Sequence, residues 1–597
     1  MKKRLFFIAS LLLLITSGLS AQNIPVSLAY TRLYDYLDEL ITDGVVVAQT
    51  TVRPYTRKQV ADMLVAAQAA DSLLNSRQKQ DLAFYLNEFA LERDTMVSNY
   101  VQYTDHRTFS LSLADPQFSY KTANNMFKMR VRPILGANVS ASKKGVILQR
   151  WWGAEVQMDI ANHLSIWGSL RDNSWSGDWL SKNYFPDPSS RMYGARIHYG
   201  ASQKQPALSP LAGVQYKEAN YGGDFSDSKG GINLYTWWGS VGIQRENIQW
   251  GTAYHASNIL SGRNPAAPMI TLQLTPCKWF QFDYFHAWLV SNVLDTTYYY
   301  LENTAGTAEP VKNYRPYNKF MAANMFTFTP IKQLSFSFGN SVIYAEQTIQ
   351  AAYLIPIAFY KSLDHLLTKG MRTQNQNSQA FASLSVRPVE HLHLYGSLFV
   401  DEVKFARFKP SNPENNPISY LVGFNWSGWP IKGLSLKGEF MRSYIACYTH
   451  SIDVLTWESN SYNMGHYMGD NAQSIYAELA YRPVRGLWLK FSYTNDTKYN
   501  SYAYLRDNIS ATIAQPAFDH VIYRNDELRL DGIYEVHPNM YMTLSVGYNH
   551  ARGYDNEKTD ALASEDIGNA QHYLDKYCPL YYQGKNLTVQ AAFSFGF

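Results

Sequence analysis

Leu587-Thr588-Val589-Gln590-Ala591-Ala592-Phe593-Ser594-Phe595-Gly596-Phe597 closes the sequence. Every odd position is apolar, and every even one is small or polar. Successive side chains of a strand point to opposite faces, so this period of two builds one face for hydrocarbon and one for water. The pattern recurs upstream in Leu434-Ser435-Leu436-Lys437-Gly438-Glu439-Phe440, in Leu487-Trp488-Leu489-Lys490-Phe491-Ser492-Tyr493 and in Met542-Thr543-Leu544-Ser545-Val546-Gly547-Tyr548. Leu334-Ser335-Phe336-Ser337-Phe338 is a further case, and the period of two begins near residue 127.

A proline-marked turn precedes most of these strands: Pro276, Pro330, Pro388, Pro430, Pro483 and Pro538. Proline pre-sets φ and lacks the donor that a central strand needs. The spacing is that of a repeated hairpin, with two strands, one tight turn and one long loop. Short turns at one end and long loops at the other are the periplasmic and extracellular ends of an outer-membrane β-barrel, which an aromatic-ended closing strand also resembles. Under that constraint the assignment gives about 20 antiparallel strands. Both barrel ends then fall on the periplasmic side, as an even count requires.

The front of the chain reads differently. Lys2, Lys3 and Arg4 precede an apolar run, Leu5 to Thr16, and small residues follow at Gly18, Ser20 and Ala21. This predicts a signal peptide over 1–21, too short for a permanent span. Residues 22–96 read as a periplasmic helical bundle. Tyr30, Leu33, Tyr34, Leu37, Leu40 and Ile41 recur at helical spacing, and Thr56/Gln59 and Asn75/Gln78 have capping-box spacing. Residues 97–126 connect this bundle to a barrel over 127–597.

Composition agrees. Aromatic residues make up 15 %, with 45 Tyr, and Tyr and Trp favour the membrane interface. Mean hydropathy is −0.30, and no long apolar run follows Thr16, which excludes a helical membrane protein. Without Lys2, Lys3 and Arg4 the balance is 50 basic to 49 acidic residues, so no basic field suggests nucleic acid. Cys277, Cys447 and Cys578 are too few for a disulfide framework; the topology puts Cys447 and Cys578 on the same outer side, where a bond between them is allowed.

The face opposite lipid carries mixed charge: Glu155, Asp159, Arg171, Lys437, Glu439, Glu478, Lys490, Glu527, Arg529 and Asp531. Charge avoids hydrocarbon, so the ordinary reading is lumenal residues satisfying one another or water. The functional reading is a polar surface for a hydrophilic ligand, and mixed sign argues against an ion-selective pore. Residues 346–377 include the apolar run Tyr353 to Leu367, with Pro356 near its start and Gly370 past its end. They predict a short helix that either folds into the mouth and narrows the lumen or packs on its neighbours at the rim.

The chain resembles the Wzi-type capsule assembly proteins of the outer membrane, in their Bacteroides-like branch. At the front the likeness rests on Tyr34-Asp35-Tyr36-Leu37-Asp38-Glu39-Leu40, Gly44-Val45-Val46 and Val52-Arg53-Pro54-Tyr55-Thr56-Arg57. In the barrel it rests on Trp250-Gly251, His255, Asn258 to Arg263, Pro268 to Pro276, Trp279-Phe280, Tyr284, His286-Ala287-Trp288 and Ser291. The resemblance implies an 18-stranded barrel with a periplasmic helical bundle, located in the outer membrane, which sets the expected count at 18 to 20 strands. It also implies lectin-like holding of capsular or other surface polysaccharide, with outer-membrane lipid and polysaccharide export machinery as partners. Members in gliding bacteria are linked to motility-associated surface traffic, which stays open here.

Sugars bind through hydrogen bonds and aromatic faces. The predicted outer loops offer Arg171, Trp175, Trp179 and Tyr184, the triplet Tyr298, Tyr299 and Tyr300, and Tyr360, Lys361 and Arg372. The plain alternative for each is an interface or loop-packing role. No HExxH, CxxC pair, Walker loop or dinucleotide fingerprint is present, so no cofactor, metal or catalytic role is assigned. His391 and His393 stand at i, i+2 with no evident third ligand. Abundant serine, histidine and acidic residues show no spacing that favours a hydrolase site at the rim. Residues 22–126 are too short and too helical for the plug of a TonB-dependent transporter. Two classes remain: a non-enzymatic polysaccharide-binding barrel, and a porin-like channel for a small hydrophilic solute.

Overall fold

The computed structural model describes residues 23–48, 50–93, 101–104, 107–112, 116–177, 214–219, 222–291, 293–302, 310–371, 375–409, 411–460, 462–500, 513–556, 568–578 and 580–596. The predicted signal peptide lies outside them. The ring runs through β1 (Phe127–Ser142), β2 (Gly145–Ile160), β3 (Leu164–Ser176), β4 (Gly222–Thr236), β5 (Gly239–Glu246) and β6 (Ala267–Cys277). It continues through β7 (Phe280–Leu289), β8 (Lys319–Ile331), β9 (Leu334–Tyr344), β10 (Gln376–Val389), β11 (Leu392–Val400) and β12 (Ile418–Ser427). It ends with β13 (Leu434–Ser443), β14 (Ala472–Tyr481), β15 (Leu487–Tyr499), β16 (Val521–His537), β17 (Met540–Gly553) and β18 (Gly584–Phe595).

β18 closes the ring antiparallel to β1, with Phe595 opposite Leu135 and Ala591 opposite Val139. Leu587, Val589 and Phe593 stand outward and exposed, while Gln590 points into the lumen. The opening sequence pattern is therefore the closing strand, as expected. The ring has 18 strands. A count of 20 overshoots because alternating segments outside the ring carry the same period. Among the described residues the hairpin Leu294–Glu302/Val311–Pro316 pairs only with itself, and Gln117–Thr122 pairs with Arg107–Ser112 on one side and with the first part of β1, before its contact with β18, on the other. The proline-marked turns gather at one end, and the connections 247–266, 290–318, 345–375 and 444–471 at the other.

Among the described residues three α-helices precede the ring: α1 (Thr31–Thr42), α2 (Arg57–Ala69) and α3 (Ser76–Glu88). Both expected capping boxes form, Thr56 with Gln59 and Asn75 with Gln78. Leu33, Leu37, Leu40, Val60, Leu64 and Phe89 are fully buried between the helices. The bundle does not hang below the barrel; it bonds the inner wall round the short-turn end. Asn23 meets Ser165 on β3 at 3.1 Å, Thr51 meets Ser337 on β9 at 3.0 Å, and Asp35 meets Lys437 on β13 at 3.2 Å. Asp43 meets His391 at 2.9 Å, Glu39 meets Arg482 at 2.8 Å, and the Tyr85 hydroxyl donates to Glu535 on β16 at 2.8 Å.

The 345–375 connection does not enter the lumen, which corrects the first of its two expectations. Its helix α4 (Tyr360–Met371) and the turn Ala351–Leu354 lie against the outer wall from β7 to β10. The physical reason is a set of outward polar side chains on those strands that need partners, taken up below. Cys277, Cys447 and Cys578 are free, and Cys447 and Cys578 sit in different apolar clusters, so the allowed bond between them is not formed.

Candidate functional site

After β5 the chain turns inward instead of outward. Gln249–Trp250 pairs with Val52–Arg53 of the amino-terminal segment on one side and with Leu260–Ser261 on the other. Gly262, at φ +68°, makes the return, and a Cβ there would stand 2.6 Å from Leu28. Trp250 packs edge-on against Phe285 and Phe381 of the wall, at 5.1 and 5.6 Å between ring centroids. Asn258 donates to the Ser419 carbonyl at 3.0 Å, and Trp457, from the 444–471 connection, donates to the Ile259 carbonyl at 3.2 Å. Bundle, inner loop and this second connection fill the lower and middle lumen.

Some inward charges hold this filling, and others pair with one another along the wall. Glu439 accepts the amides of Tyr254 and His255 and the Tyr395 hydroxyl. Lys437 and Lys490 both pair with Glu478, at 3.0 and 2.6 Å. His255 stacks on Tyr476 at 4.3 Å, and Arg263 lies over the Tyr467 ring at 4.9 Å. His391 is engaged by Asp43, and His393 by Ser385 and Tyr254 at 2.8 and 3.0 Å, so the two histidines serve separate contacts. At the lower end Glu88 sits among Arg57, Arg130 and Arg132, whose guanidinium groups hold its carboxyl well below the usual range against the effect of burial. Burial pushes the Asp81 carboxyl up to about 6, opposed by the Arg77 guanidinium and helped by the Glu39 charge.

Nearer the long-loop end, a polar cavity of about 60 Å³ remains against β16, β17 and β18. Cys578, just past helix α5 (Ala570–Tyr577), and Tyr582 of the turn Leu580–Tyr582 line it on the side away from the strands. Its walls carry Asn525, Arg529, Asn549 and Gln590 with Tyr523 and Tyr582. Arg529 binds Asp531 at 2.7 Å and Gln590 at 2.9 Å, and Gln590 donates onward to Asn138 at 2.9 Å. The Asn525 side chain is 7 % exposed, and its carbonyl oxygen has no protein partner among the described residues. Amide and guanidinium groups beside tyrosine rings supply donors, acceptors and flat apolar faces, the set that a polyhydroxylated ligand needs.

The residues singled out from sequence fall in three places. Arg171 is buried in the lumen over the Trp151 ring at 4.5 Å, opposite Asp227 on β4. Trp175 stands on β3 opposite Gly223, with its side chain outside the described set. Tyr298, Tyr299 and Tyr300 are exposed on the projecting hairpin, where Arg315 lies over Tyr298 and Tyr300 at 5.0 and 5.8 Å and Lys312 over Tyr299 at 4.6 Å. Tyr360 is fully buried on the outer wall, and Lys361 next to it is half-exposed, 3.8 Å from Asp364. Trp179, Tyr184 and Arg372 lie outside the described residues. Of the cavity, only Glu527 and Arg529 were marked from sequence, as inward charges. Its amides and tyrosines come from three strands and a turn, and inward parity on each strand was the signal that could have gathered them.

Comparison with known proteins places this architecture. The family described as capsule assembly protein Wzi matches residues 193–563, more than half of the chain. No curated protein matches. Among solved structures, an Escherichia coli protein described as Wzi, an outer membrane protein involved in group 1 capsule assembly and a carbohydrate-binding β-barrel, superposes with a TM-score of 0.52 at 11 % identity, covering 97 % of this chain and 100 % of that one. Pseudomonas aeruginosa OccK8 (OprE) covers 78 % and 97 % at 8 % identity with a TM-score of 0.39. Acinetobacter baumannii OccAB2 covers 79 % and 98 % at 7 % identity with a TM-score of 0.38. An 18-stranded barrel filled from its short-turn end and matched along most of its length by this family has one assignment: the chain belongs to the Wzi capsule assembly family of outer-membrane barrels.

Proposed function

We propose that this barrel binds and retains capsular or other surface polysaccharide at the outer membrane during capsule assembly, without catalysing a reaction on it. The observation that carries the reading is the filled lumen beneath a polar, tyrosine-bearing cavity. A solute channel needs a continuous wet path, and here Trp250, Ile259, Phe285, Met321, Phe381, Phe399 and Trp457 make an apolar core across the middle. The cavity instead offers bonding groups to a segment of polymer, and the exposed tyrosine hairpin offers a second contact with guanidinium and ammonium groups that suit acidic sugars. The related solved barrel, described as carbohydrate-binding, supports the same reading. Export machinery is the partner that would deliver the polymer.

The test is retardation of purified capsular polysaccharide from the host by the full-length protein in detergent micelles. Wild type retards it, and Arg529→Ala and Asn525→Ala each weaken retention about tenfold, the effect of roughly 1.4 kcal/mol that a charged or buried hydrogen bond supplies. Absence of retardation by the wild type contradicts the function. Undiminished retardation by both variants moves the site away from the cavity.

A further inference from the structure

The outer wall of β7, β8 and β9 breaks the rule for a lipid face. Side chains at even positions point outward there, and the lower ones, Phe336 and Phe338, are exposed as lipid-facing residues should be. The upper ones include Asn324, Asn340 and His286, which are polar and 0 %, 7 % and 0 % exposed. Asn340 lies four residues below Tyr344, the end of β9. That is about 10 Å down the wall at the usual rise and tilt of a barrel strand. Bare amides at that depth would face acyl chains with no partner, which hydrocarbon does not tolerate.

The segment from Gln350 to Leu367 covers them. Asn324 donates to the carbonyls of Pro356 and Ala358 at 2.8 and 2.9 Å. Asn340 donates to the Asn324 carbonyl oxygen at 2.7 Å and accepts the Tyr360 amide at 2.7 Å. Tyr284 donates to the Tyr353 carbonyl at 3.0 Å, and His286 meets the Tyr344 hydroxyl at 2.7 Å. The outward rings Tyr284, Phe320 and Tyr344 are thereby buried with Tyr353 and Tyr360. The covering segment has turned its own apolar side chains the other way. Leu354, Ile355, Ile357 and Phe359 are 42 %, 50 %, 69 % and 57 % exposed, and no charged residue occurs from Gln347 to Tyr360.

We propose that this segment is a strap seated in the outer leaflet, its occupant being lipid acyl chains contacted by Leu354, Ile355, Ile357 and Phe359. The exposed apolar strap is continuous with the lipid-facing belt of Phe336, Phe338 and Leu384 on the same side of the barrel. Backbone groups of the strap bond the wall, and the side chains face hydrocarbon. This division lets irregular backbone lie at membrane depth, because its polar groups are turned to protein. The strap is independent of which polymer the barrel retains.

The test uses the full-length protein with Cys277→Ser, since Cys447 and Cys578 are buried. Ile357→Cys is labelled with bimane and reconstituted in phosphatidylcholine vesicles, with or without brominated acyl chains. Phe338→Cys on the bare wall and Tyr299→Cys on the projecting hairpin serve as references, and Phe359→Cys is a second reporter. Folded barrel is verified by heat-modifiable migration. Brominated chains should quench position 357 within twofold of position 338 and at least threefold more than position 299, with aqueous iodide giving the reverse order. Iodide quenching at 357 and 359 equal to that at 299, without quenching by bromine, overturns the proposal. So does protection from both quenchers with cross-linking between copies, which would put a second protein on the strap.

Discussion

Replacing Glu88 should loosen the bundle from the barrel more than any surface change of equal charge. Its carboxylate meets Arg130 and Arg132 of β1 at 3.0 Å each and Arg57 of α2 at 3.3 Å, while its carbonyl accepts Arg130 at 2.8 Å. Glu88, Arg130 and Arg132 are at most 2 % exposed. In Glu88→Gln the two wall arginines lose their nearest counter-charge without gaining water, and Arg132 keeps Glu155, at 4.0 Å, as an ion-pair partner among the described residues. Breaking one side of a buried ion pair costs about 3–5 kcal/mol, or roughly a 150- to 5000-fold rise in the undocked population at 1.36 kcal/mol per decade. The assay is hydrogen exchange of the α3 amides in the full-length protein in micelles. Asp62→Asn, which breaks the exposed pair with Lys58, is the control and should change exchange by less than a factor of about five, the range of a surface pair. Triple replacement of Glu88, Arg130 and Arg132 by Leu, Met and Met should restore protection, because apolar residues of similar volume remove the unpaired charge. Unchanged exchange in Glu88→Gln would refute the electrostatic clamp at this site and leave the tyrosine contacts of Tyr30, Tyr85 and Tyr541 and the other wall bonds, such as Asp35–Lys437 and Glu39–Arg482, to hold the bundle.

Three further outcomes are expected. Asp81, with its pKa raised by burial to about 6, favours the folded bundle below its unfolded value near 3.8 and loses that contribution as pH rises through 6; Asp81→Asn should therefore flatten the pH dependence of α2 and α3 exchange between pH 4 and 7 and slow exchange at pH 7.5. Trp250→Ala removes a ring that is 2 % exposed, costing about 3–5 kcal/mol of packing, and planar-bilayer recordings that are silent for wild type should show brief openings. Tyr298→Ala with Tyr300→Ala takes both rings from Arg315 and should weaken retention of an acidic polysaccharide several-fold in gel retardation while leaving a neutral glucan unaffected.

Much of the wall was readable because its physics is local. Parity alone put Lys437, Glu439, Glu478 and Arg529 inside and Leu436, Leu489 and Leu587 outside, and the capping spacings at Thr56 and Asn75 marked two helix starts. What parity does not carry is the destination of a segment that leaves the ring. The stretch from Gln249 to Arg263 has no period, and its inward course is decided by Trp250 finding Phe285 and Phe381, far along the chain. For the strap the sequence leaves two readings open, a fold into the mouth or packing on its neighbours at the rim, because an apolar loop needs cover. The deciding clue was on other strands: Asn324 and Asn340 sit at lipid-facing parity among Phe320, Ala322 and Phe338. The candidate sugar residues were chosen as aromatic and basic residues of the outer loops, whereas the cavity draws its amides from inner strand positions that look like ordinary lumen lining one at a time.

The most direct measurement of the central claim is the division of surface polysaccharide between cell-bound and shed fractions after deletion of the gene in its host. Retention by this barrel predicts that total polysaccharide is preserved and moves into the medium, with return to the cell on complementation. An unchanged division between cells and medium would contradict the account.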